Sequence, residues 1–166
     1  MQSGKSNGPS RRQVMCGAAV AAATTAFPYV LKGAAFDKPI KVGLIGCGGR
    51  GTGAAHNAME ADPAVRIVAL ADAYKDRLEG CRGELKKRGA EIEDKHCFVG
   101  FDAYKKLLEL DLDYVILATP PYYRPEHFTA AIKAGKHVFT EKPVAVDPVG
   151  IRIMLEAGKM ADEKKL

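Results

Sequence analysis

The stretch IKVGLIGCGGRGTG, Ile40 to Gly53, decides how the rest of the chain is read. Its first half is a β-branched apolar run of strand length, and its second half gives up bulk for glycine. Gly46, Gly48 and Gly51 fall in G-x-G-x-x-G spacing, directly after the predicted strand and directly before a helix predicted from about Thr52 to Glu60. The three glycines serve different mechanical ends, namely a tight turn, a close backbone approach to a pyrophosphate, and close packing of helix on strand. The helix N-terminus offers unpaired N–H groups and a partial positive charge to phosphates. Gly49 and Arg50, set among the spaced glycines, are therefore candidate cofactor-binding positions with them.

Working outward, VRIVALAD predicts a second strand ending at Asp72, about twenty residues beyond Gly51, where a carboxylate accepts hydrogen bonds from a ribose diol. Such an acceptor repels a 2′-phosphate, so NAD is the expected cofactor. NADP is the alternative, because Lys75 and Arg77 lie close enough in sequence to reach a phosphate. An ordinary glycine-rich turn, an Asp72 that caps the next helix, and a methyltransferase-type nucleotide site all use similar residues. This region alone leaves those readings open.

The remaining segments alternate. Tyr74 to Arg88 predicts a charged helix, HCFVGF a short third strand, and AYKKLLEL a helix capped by Asp102. DYVILATPP is a nearly all-apolar fourth strand, RPEHFTAAIKAG a helix stopped at Gly135, HVFTE the fifth strand, and Asp147 to about Glu163 the last helix. Continuous apolar strands separated by helices predict an α/β fold, a Rossmann-like doubly wound parallel sheet over residues 39–166.

Composition narrows the function. Of the formal charge of +5, most sits in the first 38 residues, where Lys5, Arg11, Arg12, Lys32 and Lys38 face only Asp37. The body is nearly neutral, has no Trp, and mixes its bases among acids, so it lacks the footprint of a nucleic-acid binder. Residues 1–35 read as a leader, with a polar start, Arg11-Arg12, and an uncharged Ala-rich run. They resemble a twin-arginine export signal, with Val14 and Met15 where Phe and Leu are usual, and with small residues for cleavage after Ala26 or Ala35. A disordered or anchoring N-terminus is the alternative. The weak hydrophobicity of the run and its Pro28 argue against stable membrane insertion. Cys47, Cys81 and Cys97 form no CxxC pattern and read as structural; no metal site is expected.

The second half is more specific. ATPPYYRPEHFTAAIKAGKHVFTEKPVAVDP, Ala118 to Pro148, together with VGLIGCGGRGTGA, resembles the Gfo/Idh/MocA oxidoreductase family from Lys41 to about Leu166. The resemblance implies that Thr119 and Pro120 lie along the cofactor, that Glu141 helps to position it, and that Lys142 is catalytic, approaching the nicotinamide and a substrate hydroxyl. A lysine at a strand's carboxyl end suits that role chemically, since a cation and donor there eases deprotonation of an alcohol as hydride leaves. Pro143 restricts the backbone at Lys142. Many relatives have histidine where this chain has Arg124; His127, one turn later, reads as packing or capping, and His137 as structural. Tyr122 and Tyr123 are candidates for the nicotinamide side of the crevice. Related NAD-dependent glycosidases differ at the Glu-Lys-Pro motif.

The same resemblance implies a sixth strand and a second α/β domain carrying the substrate pocket and the oligomer interface, which this sequence lacks. The expectation is the NAD(P)-binding part of an oxidoreductase acting on a sugar or polyol, truncated and inactive alone, oligomeric only with the second domain, and exported to the periplasm with its cofactor already bound. A non-catalytic dinucleotide module completed by a partner chain, or a nonfunctional remnant, are the alternatives.

Overall fold

The computed structural model describes residues 38–166. The reading of residues 1–35 as an export signal lies outside them. Five parallel strands, β1 (Ile40–Ile45), β2 (Val65–Asp72), β3 (Cys97–Val99), β4 (Tyr114–Leu117) and β5 (His137–Thr140), form one sheet in the order β3-β2-β1-β4-β5. Helices α1 (Gly49–Ala61), α2 (Lys75–Lys87), α3 (Ala103–Leu108), α4 (Arg124–Lys133) and α5 (Pro148–Lys164) follow the strands. This is the Rossmann-like α/β architecture expected. The chain runs outward from β1 to β3 on one side, then returns past β1 to lay down β4 and β5 on the other.

Alternate strand residues feed two separate cores. Val42, Leu44, Ile67, Leu70 and Ile116 pack with Ala54 and Ala55 of α1 and with Leu78, Cys81 and Leu85 of α2. Ile45, Ala69, Ala71, Val115 and Leu117 pack with Tyr104 and Leu107 of α3 and Ala131 of α4. Both faces of the sheet are therefore covered, which is why its strands read as continuous apolar runs rather than alternating ones. One irregularity in the β1–β2 ladder, between Val42 and Gly43, leaves Val68 as the extra residue of β2.

Several boundaries differ from the sequence reading. The first helix begins at Gly49 rather than Thr52, so the last glycines of the turn are already helical. The third strand is only Cys97–Val99, because three residues of β2 are all it pairs with. Asp102 stands at the N-cap of α3 but makes no capping bond; its carboxylate pairs with Lys105 at 2.6 Å. Asp147 does cap α5, accepting from the Gly150 N–H at 2.6 Å. His137, read as structural, is the exposed first residue of the edge strand β5.

Candidate functional site

The strand order reverses at β1, and the carboxyl ends of β1 and β4 open onto a cavity of about 560 Å3. In open α/β sheets this is where ligands bind. Gly46, Gly48, Gly49, Arg50, Gly51, Asp72, Thr119 and Pro120 all line it. The glycines divide the work as their spacing suggests. Gly46 has φ +98, and a Cβ there would lie 2.7 Å from the backbone of Ala118 and Thr119. A Cβ on Gly51 would stand 1.8 Å from the Gly46 carbonyl oxygen, so this helix can meet the turn only without a side chain. At Gly48 the nearest neighbour is Arg77 Nη1 at 3.6 Å, leaving the backbone open to the cavity. Among the described residues no side chain caps α1 and no acid occupies its first turn, so its leading N–H groups are available to an anion.

Asp72 ends β2 with both oxygens engaged. Oδ2 accepts from the Cys47 N–H at 2.6 Å, and Oδ1 from the Tyr74 N–H at 2.9 Å. It therefore braces the glycine turn against the start of α2, although Tyr74, not Asp72, is the N-cap of that helix. Each carboxylate oxygen has capacity for a second hydrogen bond. Beside it, Cys47 is buried; its thiol is pushed up in pKa by the hydrogen bond it shares with Cys81 and by burial, while Cys81 is drawn down by the same bond.

Three arginines line the cavity, and their partners distinguish them. Arg50 pairs with the carboxylate of Glu141. Arg124 spends its donors on backbone carbonyls. Arg77 lies over the Tyr74 ring, 5.6 Å from its centroid, and has no acidic partner among the described residues. Lys75, its neighbour in the sequence reading, is held by Glu79.

Glu141 and Lys142 do not line the cavity. Glu141 is buried at the end of β5, its pKa lowered chiefly by the Arg50 guanidinium with burial opposing. Through that ion pair the Glu-Lys-Pro segment is tied to the first turn of α1. Lys142 is exposed next to it, at the carboxyl end of β5. The structure thus gathers the glycine turn, Asp72 and the Thr119 loop into one cavity and sets Lys142 on its flank.

Of an aromatic wall on the cavity, the sequence reading picked out Tyr123 and missed Tyr74, Phe101 and Tyr104. Tyr74 and Phe101 meet edge to face at 6.5 Å, Phe101 and Tyr123 lie 6.3 Å apart, and Tyr123 stacks on His127 at 6.0 Å. Tyr104 completes it, 4.2 Å from the His127 ring, with its hydroxyl donating to Glu126. Phe101 is 65% exposed despite its size, a sign that its face is open toward the cavity it lines. His127 is buried, with Nδ1 3.3 Å from the Thr119 hydroxyl, and burial lowers its pKa to about 4. Tyr122 points away and lines a separate groove.

Residues 40–165 match the model of an oxidoreductase family with an NAD-binding Rossmann fold. A glycosyl hydrolase family 109 protein of Solibacter usitatus is 35% identical over 108 residues, which are 64% of this chain and 24% of that one. A 3-ketoreductase from Actinomadura kijaniata, solved with NADP and TDP-benzene, superposes with a TM-score of 0.59 at 31% identity, covering 78% of this chain and 36% of that one. Scyllo-inositol dehydrogenase from Lactobacillus casei, solved with NAD(H) and scyllo-inositol, gives a TM-score of 0.59 at 25% identity, covering 77% and 34%. The chain spans about a quarter to a third of the length of these relatives.

Proposed function

Since the chain belongs to the Gfo/Idh/MocA oxidoreductase family, we propose that it binds NAD and forms the cofactor half of an enzyme that moves hydride between nicotinamide and a sugar or polyol-like substrate. The observation that carries this reading is the placement of the glycine turn, Asp72 and the Thr119 loop around one cavity at the reversal of strand order. The residues fit the cofactor: Gly48 leaves backbone open, the first turn of α1 lacks an acid, and Asp72 keeps acceptor capacity for a diol. When bound, the nicotinamide supplies the hydride acceptor. Lys142 then orients and helps deprotonate a hydroxyl, and Glu141 holds Arg50 at the phosphate end. NAD is the preferred form; Arg77, lacking an acidic partner among the described residues, is the residue that would accommodate the 2′-phosphate of NADP.

Isothermal titration of the full chain with NAD and with NADP tests this, beside Asp72→Asn, which keeps an acceptor for the backbone. Removing the charged acceptor should weaken NAD about tenfold or more and NADP less. Failure of a folded chain to bind either nucleotide counts against the proposal.

A second reading, an NAD-dependent glycosidase, is favoured by the 35% identity to a family 109 glycosyl hydrolase protein. The intact Glu141-Lys142-Pro143 motif supports net hydride transfer instead. Export through the twin-arginine route, to the periplasm, is also proposed, on Arg11-Arg12 and the apolar run that follows. Replacing both arginines with lysine and following the chain between cell fractions tests it.

A further inference from the structure

Arg124 is 5% exposed and, among the described residues, bonds only to main-chain oxygens. Its Nε donates to the Thr119 carbonyl at 2.7 Å, and Nη1 donates to the carbonyls of Glu141 at 2.6 Å and Pro143 at 2.5 Å. Burial lowers its pKa, and the Glu141 charge works the other way. A buried cation is costly to keep, so its value lies in what the fork of donors spans. The three acceptors belong to two loops at the carboxyl ends of neighbouring strands: one follows β4 and carries Thr119 and Pro120, the other follows β5 and carries Glu141, Lys142 and Pro143.

The β4–β5 pairing ends where the Glu141 N–H donates to the Leu117 carbonyl at 3.0 Å. Beyond that bond, the Arg124 guanidinium is the one group among the described residues that hydrogen-bonds the Lys142 loop to the loop after β4. It grips the main chain on both sides of Lys142. A lysine at position 124 presents a single ammonium and cannot reproduce a planar fork that reaches three carbonyls.

We infer that Arg124 is the positioning residue for Lys142, holding the lysine loop in register with the Thr119 loop so that both face one nicotinamide. This rests on the reading of the cavity as a nicotinamide-dinucleotide site. Although Arg124 lines the cavity, its Nε and Nη1 are spent on main-chain carbonyls, so it acts through the backbone of the two loops.

Calorimetry of the full chain with NADH and with ADP-ribose, which lacks the nicotinamide, separates this role from a general structural one. In Arg124→Ala the affinity for ADP-ribose should stay within about twofold, while NADH weakens about tenfold and loses part of its bound-state fluorescence enhancement. Millimolar methylguanidinium should restore both NADH readouts, and Arg124→Lys should behave like Arg124→Ala. Equal weakening of the two ligands, no change in either, or no rescue by methylguanidinium would overturn the inference while leaving the cofactor site standing. Absence of binding of both ligands to the unaltered chain would overturn the cofactor reading and this inference with it.

Discussion

His127 is kept neutral by burial, and the cost of charging it is built into the fold. Its pKa is lowered from 6.5 to about 4. Between those values the unfolded chain binds the proton that the folded chain refuses, so stability rises with pH across that window. The contribution is complete above pH 6.5 and is lost as pH falls toward 4, amounting to about 3 kcal/mol at most. His127→Gln should therefore flatten the acid limb of a plot of unfolding free energy against pH between 4 and 6.5; an unchanged limb would refute the assignment. At this scale the sequence was legible where chemistry is carried by spacing: the glycines, Asp72 and Thr119 all reach the cavity. It was not legible where chemistry depends on burial. Nothing in the local sequence distinguishes Arg124, which ends up bonded to three carbonyls from two loops, from the exposed Arg77 of α2. Nor does the spacing reveal that Asp72 already serves two backbone N–H groups.

Helix ends carry the differences between pattern and structure. Periodicity placed the first helix at Thr52 because glycine is a poor helix former, yet Gly49 and Gly51 are helical, and at Gly51 only glycine lets the turn and helix approach so closely. The third strand is short because β2, its sole partner, ends at Asp72. Asp102, read from the sequence as a cap, makes no capping bond, whereas Asp147, read only as the start of the last helix, does. Asp147→Ala should destabilise the chain by about 1 kcal/mol in a denaturant titration, while Asp102→Ala, which removes only an exposed pair with Lys105, should change it by less than about 0.5 kcal/mol. Equal effects would show that the bond from Gly150 to Asp147 does no more than the Asp102 ion pair. The long α5 is tied down at its far end as well, where Lys164 Nζ donates to the carbonyls of Ile132 and Lys133 at 3.2 and 3.1 Å and so closes the C-terminus of α4.

Among the described residues, large apolar side chains stay exposed on β5, on the loop after it and on α5. Phe139 is 41% exposed, Val146 58%, Val149 56% and Leu155 63%. Exposed apolar surface of this kind favours association, and β5 is an unpaired sheet edge among the described residues. Sedimentation of the chain should show weak, concentration-dependent self-association that Phe139→Lys combined with Leu155→Lys abolishes without lowering thermal stability. A pair of substitutions that leaves the sedimentation unchanged would show that neither side chain carries the association. A different consequence follows from the close approach of Gly46 to Ala118 and Thr119. A polypeptide is made from its N-terminus, and β1 must wait for β4: the Lys41 N–H meets the Asp113 carboxylate across a separation of 72 residues. During synthesis the glycine turn is born early but leans on a wall that emerges late. The cavity is therefore complete only once the chain has been extended through the Thr119 loop and on to His127.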